Sequence, residues 1–346
     1  MSTRAKTAET RVQNSSRQLE QIQKTVEEAQ RIFENILSLE ESEIPSNFKE
    51  KYDELKNDYY QRFLKSMPDE IKGSLQNGKS LIDMGISSLK AGRNKLSLKY
   101  FTQALNIFRE AGDKLNEGKA LRGIGLIYRN LREYAKALNF YQQALVIHKQ
   151  IGDRSGEAIT LNNIASIYYS LWDYLKALNL HQQTLAIRKR IGDRGGEAAT
   201  LNNIASIYYS LGENQKALNL HQQALVFSRQ ISDQNGVATS LNNIGLTYNN
   251  LGQNQKALEF YQQALPLYRT IGNKIGEANA LNNIGLTYNN LGQNQKALEF
   301  YQQALPLYRT IGNKIGEANA LNNIGLTYNN LGQNQKALEF YQQALP

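Results

Sequence analysis

The chain has 346 residues, 41% hydrophobic and 21% charged, enough for two ordinary domains or one elongated one. It holds no cysteine, which excludes disulfides, thiolate metal sites and cysteine nucleophiles, and no apolar run near the roughly 20 residues that span a bilayer. The net charge of +9 is spread thinly: residues 1–80 carry 13 basic and 14 acidic residues and residues 81–346 carry 27 and 17, without the clustered stripe of a nucleic-acid footprint.

The N-terminus, MSTRAKTAETRVQNSS, has no apolar core of a secretory signal, and a cytoplasmic location fits. Residues 10–40 are strongly helical. Leu19, Ile22, Val26, Ala29, Phe33 and Ile36 alternate steps of three and four, a short heptad seam. ESEIPSN interrupts it. Asn47 with Glu50 reads as a capping box that opens a second helix, with Phe48, Tyr52, Leu55, Tyr59 and Phe63 on one face. Residues 1–77 are expected to form a helical hairpin that covers the chain just beyond residue 77, or a short dimerising coiled coil.

From residue 78 the sequence repeats every 40 residues. Gly85, Gly125, Ala165, Ala205, Gly245, Gly285 and Gly325 are in register and all small. Four residues before each stands a leucine, Leu81 through Leu321. Twelve after each stands Ser97 or an alanine, Ala137 through Ala337. Seven units are expected, starting near 78, 118, 158, 198, 238, 278 and 318. The last three share LNNIGLTYNNLGQNQKALEFYQQALP without a difference, at 241–266, 281–306 and 321–346.

Each unit reads as two helices. In the sixth, Leu281, Ile284, Gly285 and Tyr288 lie on one helical face. Gly292 ends that helix, and Asn294 is placed to cap the next. Ala297, Tyr301, Ala304, Leu305 and Tyr308 form the second stripe, which Gly312 ends. Such pairs bury their apolar faces only by stacking, as an all-α solenoid. Pro266 and Pro306 fall inside second helices and predict a bend there.

These residues resemble the tetratricopeptide repeat over about 78–346. The usual unit has 34 residues, and this one has a longer second helix. The LNN start resembles the repeats of kinesin light chains, of Pins-type adaptors, and of bacterial arrays that precede CHAT domains. Trp172 and Arg132 replace the turn glycine, Ser88 the tyrosine and Ser97 the alanine. The resemblance implies a right-handed superhelix that binds a partner's peptide in its concave groove.

With the leucine as position 4 of each first helix, positions 4, 7, 8 and 11 face the partner helix, while 2, 5, 9 and 12 face the groove. Position 5 is Asn162, Asn202, Asn242, Asn282 and Asn322; position 12 includes Asn249 and Asn289. Asparagine is a poor helix-interior residue, and its amide complements a peptide group. The resemblance implies that the position-5 amides grip a peptide backbone. Position 6, asparagine from Asn163 to Asn323, reads as a bond across the repeat interface. Tyr169 and Tyr209 line the groove in repeats 3 and 4. Lys119, Arg122 and Arg129 line it in repeat 2, where a carboxylate would dock.

No catalytic constellation emerges. His181 and His221 stand where other units carry an aromatic ring, and His148 is alone. GDRGGEA and GNKIGEA are not phosphate loops. No cofactor or metal is expected. The expected function is a non-catalytic scaffold or sensor for a partner protein. The alternatives are the recognition arm of a longer protein with a CHAT-type effector and, against the charge pattern, an RNA-binding repeat. Repeat 7 stops at Pro346 partway through its second helix, so self-association through that face, or through the N-terminal helices, is a further expectation.

Overall fold

The computed structural model describes residues 69–344; the seam expected at 19–36 and the helix expected at 48–63 lie outside them. The fold is all-α. Among the described residues there are fourteen helices and no strand, in two compact units, one ending at Asp193 and the other beginning at Arg194. The first unit holds α1 (Asp69–Lys90), α2 (Asn94–Glu110), α3 (Lys114–Asn130), α4 (Tyr134–Gln150), α5 (Arg154–Ser170) and α6 (Tyr174–Arg190). The second holds α7 (Arg194–Ser210), α8 (Asn214–Gln230), α9 (Gln234–Asn250), α10 (Asn254–Thr270), α11 (Lys274–Asn290), α12 (Asn294–Thr310), α13 (Lys314–Asn330) and α14 (Asn334–Ala344).

From α2 to α13 every helix has 17 residues and every connection is a three-residue turn. First helices therefore begin four residues before the sequence register, and the KIGEA part of the connector is already helical. The turns share one mechanism. At the α4–α5 turn, Gly152 N–H donates to Lys149 O and Asp153 N–H donates to His148 O, which satisfies carbonyls of the last helical turn. The middle residue is left-handed. Gly152 has φ +66°, and Arg132, Trp172 and Ser232 adopt φ 61°, 62° and 56° at the same place, at a strain cost that glycine avoids.

Between repeats the third turn residue also caps the next helix. Asp113, Asp153, Asp233, Asn273 and Asn313 each accept from a backbone N–H three residues on. Within repeats such caps are mostly missing. Gln293, not Asn294, is the N-cap of α12, and its side chain makes no capping bond. A carboxylate clamp reinforces several inter-repeat turns. Glu277 Oε1 accepts from Arg269 Nε at 2.9 Å and Oε2 from Lys274 Nζ at 3.0 Å. Burial pushes the Glu277 carboxyl up, but these two cations outweigh it and hold it below its usual range.

Helices α10 and α12 run uninterrupted through Pro266 and Pro306 at the common 17-residue length. Pro266 and Gln262, whose carbonyl loses its donor, both lie on the exposed side, where water can replace the bond.

The core repeats with the sequence. Tyr141, Tyr261 and Tyr301 on second helices are fully buried, each against a glycine of the first helix. A Cβ on Gly125, Gly245 or Gly285 would lie 2.7 Å from that ring. In the third and fourth pairs the small residue is Ala165 or Ala205, and the ring sixteen positions on is the smaller imidazole of His181 or His221. In the first pair Ser97 replaces alanine and is satisfied, its Oγ donating to Gly85 O at 2.7 Å. Position 10 is buried too, as Ile127, Ile167 and Ile207 and then Thr247, Thr287 and Thr327. Position 11 is only half-buried. Its Tyr128, Tyr248, Tyr288 and Tyr328 stack on Phe140, Phe260, Phe300 and Phe340.

The ring–glycine fit yields a prediction. Gly285→Ala should lose about 1–2 kcal/mol by urea unfolding, because overpacking exceeds the gain in helix propensity. Adding Tyr301→His should restore most of the loss, since it recreates the third and fourth pairs; independent, additive losses would contradict the fit.

Candidate functional site

Within each unit, first helices pack on their own second helix and also on the neighbouring first helices, α1 on α3 and α3 on α5, then α7 on α9, α9 on α11 and α11 on α13. Among the described residues no pair of successive second helices packs comparably. The first helices thus form the tighter, inner layer. Positions 5, 9 and 12 lie on it, mostly half-buried.

The asparagines of this layer bond across repeats. Asn283 Nδ2 donates to Asn242 Oδ1 at 3.3 Å, and Asn323 Nδ2 to Asn282 Oδ1 at 3.2 Å. Position 6 of one repeat thus serves position 5 of the one before. Position 12 is bonded between repeats as well, at both ends of the amide in Asn249 and at the oxygen alone in Asn289. Asn249 Nδ2 donates to Thr287 Oγ1 at 2.8 Å and to Asn254 Oδ1 at 3.2 Å, and its Oδ1 accepts from Asn290 Nδ2 at 3.4 Å. Asn289 Oδ1 accepts from Asn330 Nδ2 at 3.2 Å. Two position-5 amides show the same split as Asn289. The oxygen is bonded in Asn242 and Asn282, while the Nδ2 group of each has no partner among the described residues. Asn322 is exposed and Asn162 half-buried.

Asn202 stands apart. It is 7% exposed, and its amide is used at both ends: His221 Nδ1–H donates to Oδ1 at 2.6 Å, and Nδ2 donates to Ser240 Oγ at 2.9 Å. In the third pair the Nδ1 of the equivalent imidazole, His181, has no partner among the described residues, and Asn162 stays half-buried.

In the second helix pair the layer is cationic. Lys119 is exposed, and Arg122 and Arg129 are half-buried. Burial lowers the Arg122 guanidinium pKa, opposed by Asp153 and Tyr141, but an arginine stays charged. The Tyr141 hydroxyl is buried without a partner among the described residues. Burial pushes it up to about 12, against the pull of Arg129 and Arg122. The Tyr261 and Tyr301 hydroxyls are likewise buried, unpartnered and pushed up by desolvation. Sequence periodicity places these rings in the core but gives no sign that their hydroxyls go unmatched. Tyr169 is exposed beside Tyr174, and Tyr209 is half-buried.

This helix-pair period has a family counterpart. The tetratricopeptide repeat description matches residues 78–150, 156–230, 196–270 and 276–346. The chain belongs to the tetratricopeptide repeat family. No curated protein matches it. Solved structures with similar tetratricopeptide-like architecture include the apo form of the quorum sensor NprR from B. thuringiensis, at 19% identity and TM-score 0.64, covering 97% of this chain and 98% of that one. A Rap protein complexed with competence and sporulation factor matches at 16% identity and TM-score 0.64, covering 96% of each chain. A STAND-class signal-transduction ATPase with a tetratricopeptide repeat sensor, from Pyrococcus horikoshii, matches at 18% identity and TM-score 0.59, covering 86% of this chain and 45% of that one.

The histidines of this repeat protein are core residues. His181 and His221 are each 2% exposed, and His148 Nδ1 lies 2.9 Å from Asp153 Oδ2. Among the described residues no group of three or more His, Asp or Glu could hold a metal ion, and no helix is long and apolar enough to cross a membrane.

Burial lowers the His181 pKa to about 4, helped by Arg188, and burial alone does the same to His221. The unfolded chain, with histidines near 6.5, therefore takes up these protons first. The stability tied to the neutral rings is complete above about 6.5 and is lost as pH falls towards 4. The melting temperature should therefore fall between pH 6.5 and 5, before the carboxylates titrate. Ala205→Gly with His221→Tyr, which recreates a fifth-repeat pair, should flatten that slope; an unchanged slope would count against the assignment.

Proposed function

We propose that the protein is a non-catalytic interaction scaffold that holds an extended segment of a partner protein against its first-helix layer. The observation that carries this reading is the split use of the position-5 amides. In Asn242 and Asn282 the oxygen is fixed by the next repeat, and the two N–H donors have no partner among the described residues. A donor group held in place in each of two successive repeats suits backbone carbonyls of an extended chain, whatever its side chains. The cationic stretch of the second helix pair, with Lys119, Arg122 and Arg129, suits an acidic side chain or a terminal carboxylate.

The test uses peptides selected from a random library on the full chain. Asn242→Ala with Asn282→Ala should weaken binding by about 1–3 kcal/mol, two hydrogen bonds' worth. Asn283→Ala with Asn323→Ala is the control. It breaks the same two inter-repeat bonds but leaves the position-5 donors in place, and it should lose stability without comparable loss of affinity. Equal effects from both pairs would reduce the asparagines to a structural role. For peptides bearing a carboxylate that depend on the first unit, Arg129→Glu should weaken binding at least tenfold.

A further inference from the structure

The third helix pair departs from the other six at one end. At the α5–α6 turn, Trp172 occupies the left-handed position at φ 62° that glycine fills in five pairs, and it is 78% exposed. The left-handed backbone costs a tryptophan more than a glycine, and the ring stays largely in solvent. Trp172 meets the Tyr174 ring edge-on at 6.0 Å, and Tyr174 meets Tyr169 at 5.5 Å. Leu175, 80% exposed, stands where the four following pairs have glutamine.

Beside these residues a ring is missing. In four pairs the position-11 tyrosine stacks on a phenylalanine of its second helix, with ring centres 5.4 to 5.5 Å apart. In the third pair that phenylalanine is Leu180. Tyr168 keeps its lysine, with Lys176 Nζ 5.2 Å from the ring centre. A cleft of about 420 Å³ opens between Tyr168, Leu175, Lys176, Asn179 and Leu180. The fourth pair also has leucine at that position, Leu220, but carries Gly212, Asn214 and Gln215 in place of Trp172, Tyr174 and Leu175. Only the third pair joins the missing ring to an exposed aromatic and aliphatic rim.

We propose that this cleft is a docking site for an aromatic side chain of a partner polypeptide, which restores the stack on Tyr168 while Trp172 and Leu175 cover its flanking residues. The occupant's chemistry is set by the neighbouring repeats, which place a phenylalanine ring against the same tyrosine. Tryptophan and tyrosine are enriched among the anchors of protein recognition, and Trp172 is exposed within one helical turn of Tyr168 and Leu175. The site lies at the turn end of α5 and α6 and is independent of the asparagine layer.

Trp172 is the only tryptophan in the sequence, so its emission reports on this surface alone. Peptides without tryptophan are selected from a random library on the full chain and counter-selected on Leu180→Phe. They should carry a phenylalanine or tyrosine, shift Trp172 emission, and lose at least tenfold affinity when that residue becomes alanine. Leu180→Phe, the residue of four other pairs, should melt no lower than the native chain and bind at least tenfold more weakly. Leu175→Gln should weaken binding likewise, and Asn242→Ala with Asn282→Ala should not. Equal binding to Leu180→Phe and Leu175→Gln, or unmoved emission, would overturn the proposal. So would N-acetylphenylalaninamide binding as tightly as the peptides, since the site would then serve small aromatic ligands.

Discussion

Each helix pair depends on one contact. A ring from the second helix rests on a first-helix residue that has no side chain or only a methyl group. Where the ring is tyrosine, as in Tyr141, Tyr261 and Tyr301, the residue beneath is glycine, and a Cβ there would sit 2.7 Å from the ring. Where the ring is histidine, alanine fits. Interiors are packed too closely to absorb a misfit of that size. This contact holds the two helices at a fixed separation and leaves the other face of the first helix to meet its neighbours in the inner layer.

That layer explains an asparagine content that helix propensity disfavours. Amides at positions 6, 12 and 13 join one repeat to the next through partners 38 or 41 residues apart. Because the last repeats are identical in sequence, the same bonds recur in register. At position 5, Asn242 and Asn282 accept from the ladder while their Nδ2 groups have no partner among the described residues. The price is uniformity, and the chain relieves it in particular repeats: a cationic layer in the second, an aromatic turn end in the third, an inward-turned Asn202 in the fourth.

The sequence made much of this legible. A strict period of small residues and leucines defines seven pairs, and positive-φ glycines mark their turns, because both signals are local to a helix. The angular position of Asn242 and Asn282 on the inner face was also readable from helical geometry. What a single helix could not reveal was its offset against the next. A partner at one repeat plus one residue, or minus two, depends on how neighbouring helices slide, and this is why Asn249 and Asn289 proved to be bonded between repeats. Asn202 is held inward by two partners distant in sequence, His221 at nineteen residues and Ser240 at thirty-eight. Asn294 looked like a cap but sits one residue inside α12, since the left-handed turn residue fixes the helix start. Pro266 passes through its helix because the carbonyl it frees belongs to an exposed residue.

On the proposed reading, the inner layer serves recognition as well as contact between repeats. The most direct test is amide hydrogen exchange, followed by mass spectrometry, on the full chain with and without a groove-selected peptide that depends on Asn242 and Asn282. Slowed exchange is predicted in the first helices α9 and α11, with the second helices α10 and α12 unchanged. Slowing confined to the second helices, or to the turns, would place the ligand elsewhere and contradict that reading.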